Sequence, residues 1–70
     1  MHKYHINVFY SKADDGFIAD VPDLLDCSAI GKTPGEAMQK VMAAMERWLE
    51  NARDNGEEIP APQYRPAIYR

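Results

Sequence analysis

Between residues 33 and 56 apolar side chains recur every three or four positions: Met38, Val41, Met42, Met45, Trp48, Leu49 and Ala52. That spacing lays them in one stripe of an α-helix. Glu36, Gln39, Lys40, Glu46, Arg47, Glu50, Arg53 and Asp54 fall largely elsewhere and are expected in water. Both ends are punctuated. Thr33 is an N-cap residue, since its hydroxyl can accept from a free N–H of the first turn. Pro34 falls where a missing N–H costs nothing. Glu36, three residues after the cap, is placed to reach back to Thr33's own N–H and complete a capping box. Gly56 can adopt the left-handed conformation that closes a helix. The polar face carries both charge signs, which argues against a membrane-surface helix. A stripe of this kind needs a partner surface, because packing supplies most helical stability.

The first half of the chain alternates with the period of strands. In residues 3–11, Tyr4, Ile6, Val8 and Tyr10 point one way and Lys3, His5, Asn7 and Phe9 the other. The first set is the expected core face, to lie under the helix. Asp14-Asp15-Gly16 then reads as a hairpin, with Gly16 taking the positive φ. The return strand is residues 17–21, with Phe17, Ala19 and Val21 on one face and Asp20 on the other, and Pro22 ends it. A short turn over residues 22–26 carries Asp23, Leu24, Leu25 and Asp26, and both leucines are not expected to be buried. Residues 27–31 form a third short strand. Three strands with short connections predict an α+β fold, an antiparallel β-meander with one long amphipathic helix across one face. After the helix, Pro60 and Pro62 force an extended linker. Residues 63–70 read as a tail that adds an edge strand or packs on a neighbouring subunit.

Length changes the picture. Seventy residues make one domain, and a chain this small buries only about 60% of its unfolded surface. Cys27 is the sole cysteine, so no internal disulfide can form, and neither His2 nor His5 stands at zinc-ligand spacing to it. The remaining staple is self-association, so a homo-oligomer, dimer or tetramer, is expected. No stretch has the length of a membrane span, and no signal peptide is visible. The cysteine usage fits the cytoplasm. The net charge of −3 argues against nucleic acid as the direct ligand and fits a basic partner.

Catalytic chemistry is poorly represented. Asp14, Asp15, Asp20, Asp23 and Asp26 all fall in the first half. Clustered carboxylates can hold Mg²⁺ for phosphoryl transfer, so a metal-dependent nuclease is one reading. Turns and exposed strand faces favour Asp without any such role. No phosphate-cradling loop, nucleophile elbow or metalloprotease helix is present, and no catalytic, cofactor or metal residues are assigned. Met38, Met42 and Met45 read as adaptable core, and His5 as a solvated strand residue rather than a base.

Two segments carry a family resemblance. One is Asp15-Gly16-Phe17-Ile18-Ala19-Asp20-Val21-Pro22-Asp23-Leu24, followed by Cys27, Gly31 and Thr33. The other is Thr33-Pro34-Gly35-Glu36-Ala37 leading into Trp48-Leu49-Glu50, with Ile59-Pro60-Ala61-Pro62 after the helix. Together they resemble the HicB-like antitoxin domain of bacterial HicAB toxin–antitoxin systems, over about the first sixty residues. Leu25-Asp26 stands where that pattern usually has Pro-Gly, Lys32 where it often has Asp, and Gly35 where it often has Glu. The resemblance implies a HicB-like domain over residues 1–60 with a partial ribonuclease-H-like fold, β-β-β-α, and often a further strand from a tail such as 61–70. It implies a non-enzymatic protein that binds and neutralises HicA, a small basic mRNA-cleaving toxin. Many members continue into a DNA-binding domain for which this chain has no room, so direct DNA binding is not expected of it. The partner surface is expected at the acidic turn: Asp20, Asp23, Leu24, Leu25 and Asp26. A solo oligomeric domain with no surviving toxin partner is the remaining alternative.

Overall fold

The computed structural model describes residues 4–64. Within them the order is β1 (Asn7–Ser11), β2 (Gly16–Asp20), β3 (Ser28–Gly31) and α1 (Pro34–Asp54). The three strands form an antiparallel meander with β2 in the centre. The helix covers one face, so the expected α+β arrangement of three strands and a long helix is what the chain adopts.

The register explains which face the helix takes. Val8, Ala19 and Ala29 stand opposite one another across the three strands, and Tyr10, Phe17 and Gly31 form the next row. Small residues at Ala19, Ala29 and Gly31 leave room for a helix to approach closely. Ala37, Val41, Met45, Leu49 and Ala52 are the helix residues buried against them. A Cβ at Gly31 would sit 2.5 Å from the backbone nitrogen of Ala37, so β3 and the first turn of α1 touch through backbone. Met42, expected in the stripe, is 50% exposed. The buried line runs through 37, 41, 45, 49 and 52, a narrow seam that leaves Met42 on its flank; Ala37, absent from the expected stripe, is fully buried.

The helix ends close much as the sequence indicates. Thr33 Oγ1 accepts from the backbone N–H of Glu36 at 3.0 Å. The Glu36 carboxylate reaches one residue further than expected: it accepts from Lys32 N–H at 2.9 Å, not from Thr33. It also lies 3.5 Å from Lys40 Nζ. The Lys32 N–H bond, then the Lys40 charge, hold the Glu36 carboxyl below its ordinary pKa. At the other end Gly56 has φ of 72°. Glu57 N–H donates to Ala52 O and Gly56 N–H to Arg53 O, which is the Schellman pattern.

Some strand details differ from expectation. The first strand begins at Asn7, so Tyr4, His5 and Ile6 precede the ladder; Lys3 lies outside the described residues. Tyr4, Ile6 and Val8 do pack against the core. Tyr10 does not: it is 53% exposed, on the edge strand β1. Its ring packs edge-on to Phe17 at 5.4 Å and its hydroxyl donates to Asp15. In the hairpin, the positive φ (49°) belongs to Asp15 rather than Gly16, because Gly16 is already in the ladder opposite Ser11. Residues 61–64 carry no strand; the rest of the expected C-terminal strand lies outside the described residues.

Candidate functional site

The acidic turn is built from two overlapping turns closed as one loop. Leu24 N–H donates to Val21 O, Cys27 N–H to Leu24 O, and Val21 N–H to Cys27 O at 2.9 Å. Asp26, with φ of 59°, supplies the left-handed residue of the second turn, at the position where the resembled pattern has Gly. Asp tolerates this conformation better than most residues. The loop is therefore an ordered projection with its backbone bonded at both ends.

Its side chains divide sharply. Leu24 is 1% exposed and lies in the core with Val21, Cys27, Met45 and Leu49. Burying it contributes about 1.5–3 kcal/mol. It anchors the loop and has no surface left for a partner, so of the five expected contact residues Leu24 is withdrawn. Leu25, its neighbour, is 78% exposed. Trp48 Nε1–H donates to Leu25 O at 2.9 Å, which ties the tip of the loop to the helix. Between Leu25, Trp48, Asn51, Ala52 and Glu57 lies an open depression of about 310 Å³. A second, of about 280 Å³, runs along Asp20, Pro22, Leu25, Asp26 and Ser28.

Asp23 has a different occupation. Its carboxylate accepts from the backbone N–H groups of Gln63 and Tyr64, at 3.1 Å each. The Tyr64 ring lies 4.8 Å from the His5 ring, and the Tyr4 hydroxyl donates to Pro60 O. His5 Nε2 is 2.7 Å from Asn7 Oδ1. Residues 60–64 thus cross beside the segment before β1, strapped to Asp23. Burial, with the Asp23 charge adding to it, raises the Tyr4 pKa. Sequence reading missed this strap because nothing local in Pro60–Ala61–Pro62 encodes which acceptor the following amides will find.

The aspartates do not converge. Asp14 and Asp15 sit at the β1–β2 hairpin, where Ser11 Oγ donates to Asp14. Asp20 and Asp26 sit at the opposite end of the sheet, and Asp23 is turned to the strap. Among the described residues no group of three or more His, Cys, Asp or Glu side chains comes together in a way that could hold a metal ion. Cys27 is buried, and burial raises its thiol pKa while Arg47 lowers it by a smaller amount. What the arrangement offers is a surface: an exposed leucine beside a tryptophan, with carboxylates on its rim.

Residues 4–67 match the protein family described as HicB_like antitoxin of bacterial toxin-antitoxin system. A UPF0150 protein of Synechocystis sp. is 35% identical over 54 residues, covering 77% of this chain and 74% of that protein. A UPF0150 protein of Thermoplasma acidophilum is 33% identical over 54 residues, 76% of this chain and 78% of that one. A 14.9 kDa protein of the rep-hol intergenic region of Haemophilus phage HP1 is 35% identical over 49 residues, 70% of this chain but 37% of that protein. No solved structure gives a significant match.

Proposed function

Because the chain belongs to the HicB_like antitoxin family of bacterial toxin-antitoxin systems, we propose that it is a non-enzymatic, cytoplasmic domain that binds and neutralises a small basic toxin of the HicA type. The observation that carries the reading is Leu25. A leucine 78% exposed on a hydrogen-bonded loop, braced by Trp48, is a pre-ordered contact that costs little entropy on binding. Trp is among the residues that most often dominate interface energies. Asp20 and Asp26 flank it and would speed encounter with a basic partner.

Membership of the family supports a toxin partner in general. The split placement of the aspartates weighs against the nuclease reading. No described helix is long and apolar enough to cross a membrane.

The test is co-expression with the small open reading frame adjacent to this gene. A basic protein of toxin size should co-purify, its growth arrest should be relieved, and Leu25→Asp should abolish both effects. Asp20→Lys with Asp26→Lys should weaken binding and flatten its salt dependence. A harmless neighbour that does not co-purify overturns the proposal. Binding indifferent to Leu25→Asp overturns the site.

A further inference from the structure

The face of the sheet away from the helix is not built for water. Phe9, Ile18 and Ile30 stand directly opposite one another across β1, β2 and β3. They form an apolar row from edge to edge, with Phe9 49% and Ile30 45% exposed. On either side lie Asn7, Asp20 and Ser28, and Ser11 with Gly16. An antiparallel sheet with one wet face alternates apolar and polar residues, whereas a strand covered on both faces reads as a continuous apolar run. β2 reads Phe17-Ile18-Ala19 and β3 Ala29-Ile30, which is the second pattern. The helix covers one side only.

We propose that a second copy of this chain covers the other, by face-to-face packing of the two sheets along the Phe9–Ile18–Ile30 row. The charge on the face selects this occupant. Among the described strand residues that point to it, Asp20 alone is charged. A basic partner finds a single carboxylate there, Asp20, at the end of the sheet next to the loop. A neutral apolar strip matches itself. A two-fold axis along the row brings Phe9 to Phe9, Ile18 to Ile18 and Ile30 to Ile30, an isologous contact. The same rotation separates the two Asp20 carboxylates. Each then faces the hairpin end of the partner sheet, where Lys12 and Lys32 offset Asp14 and Asp15. An axis along the strands would instead place Asp20 against Asp20.

The area sets the strength. Three strands about 4.8 Å apart and five residues long at about 3.3 Å each give a strip of roughly 14 by 17 Å. Even doubled for side-chain relief, that falls short of the ~800 Å² per partner of a standard interface. The dimer is therefore weak and reversible, with a dissociation constant in the micromolar range or above. It leaves Leu25 and Asp26 free and meets the loop surface only at Asp20 and Ser28; as an association of the chain with itself, it does not depend on the toxin reading.

Sedimentation equilibrium of the whole chain from micromolar to millimolar concentration tests this without any partner. A monomer–dimer equilibrium is expected. Ile30→Lys and Phe9→Lys, both at exposed positions and both checked for native circular dichroism, should each weaken it about tenfold or more. Leu25→Lys, an exposed apolar position off this face, should leave it unchanged. A monomer throughout the range overturns the proposal. So does a dimer that ignores Ile30→Lys and Phe9→Lys, or one broken equally by Leu25→Lys. Loss of a co-purifying basic protein on Ile30→Lys, with the chain alone monomeric, assigns the face to that partner and also overturns it.

Discussion

Replacing Gly31 by Ala would test the contact on which the helix–sheet packing rests. The added Cβ would lie 2.5 Å from Ala37 N, 2.9 Å from Glu36 C and 3.0 Å from Ala37 Cα. All three atoms belong to the helix backbone, so no side-chain rotation relieves them. Ordinary contact begins near 3.4 Å, and β3 and α1 must separate by close to an ångström at that end. Ala19, Ala29 and Ala37 are too small to fill the gap this opens. Overpacking of this kind costs about 1–3 kcal/mol. Against it stands a gain of about 0.4–1 kcal/mol from stiffening the unfolded chain. The net loss is about 1 kcal/mol, from a domain whose core supplies roughly 3–5 kcal/mol. Urea unfolding followed by far-ultraviolet circular dichroism should show the midpoint falling by about 1 M for a slope near 1 kcal/mol per M. The internal control is Gly35→Ala, four residues on, where an added Cβ meets nothing within 4 Å. It should stabilise by a few tenths of a kcal/mol to about 1 kcal/mol. If the two substitutions move the midpoint in the same direction, or Gly31→Ala leaves it in place, the close-approach argument is wrong.

Three further outcomes follow from the same packing. Leu24→Ala should cost about 2–5 kcal/mol by cavity formation, whereas Leu25→Ala should change the thermal midpoint by no more than an exposed substitution does; equal effects would mean the loop is not held as described. Glu36 has its folded pKa lowered, so its contribution is present above the ordinary Glu value and lost as pH falls through the folded value; Glu36→Gln should shrink the acid-limb loss of stability measured by urea titration. Cys27, buried with its pKa raised, should react with a thiol reagent at neutral pH only at the rate the protein opens, and fast modification of native protein would contradict its place in the core.

The helix was legible because its signals are local: Thr33, Pro34 and Glu36 lie within one turn, and Gly56 needs only its own φ. The meander was legible because Asp-Gly and Pro22 bound short alternating runs. What escaped the sequence depended on distance. That Leu24 faces in and Leu25 out follows from how the loop's backbone closes on Val21, not from either side chain. Met42 and Tyr10 fit their apolar patterns, yet the helix seam is narrower than the stripe and Tyr10 stands exposed on the edge strand. Asp23 resembled its acidic neighbours until the backbone amides of Gln63 and Tyr64 were seen to bond to it. Which members of the loop stand exposed, Leu25 rather than Leu24, is decided by tertiary structure.

The strap over Asp23 also bears on the order in which the molecule assembles. Tyr4 and Pro60 are 56 positions apart in the chain, and Asp23 and Gln63 are 40 apart, whereas the hairpins and the helix close over a few residues. The entropy of closing so long a loop is lost before any of those contacts form, and β1, β2, β3 and α1 must already be docked to present their partners. The strap is therefore the last part to fold. By the same reasoning it is the first to open, and amide hydrogens of Gln63 and Tyr64 should exchange through a local opening well before that of Ala19 in the central strand.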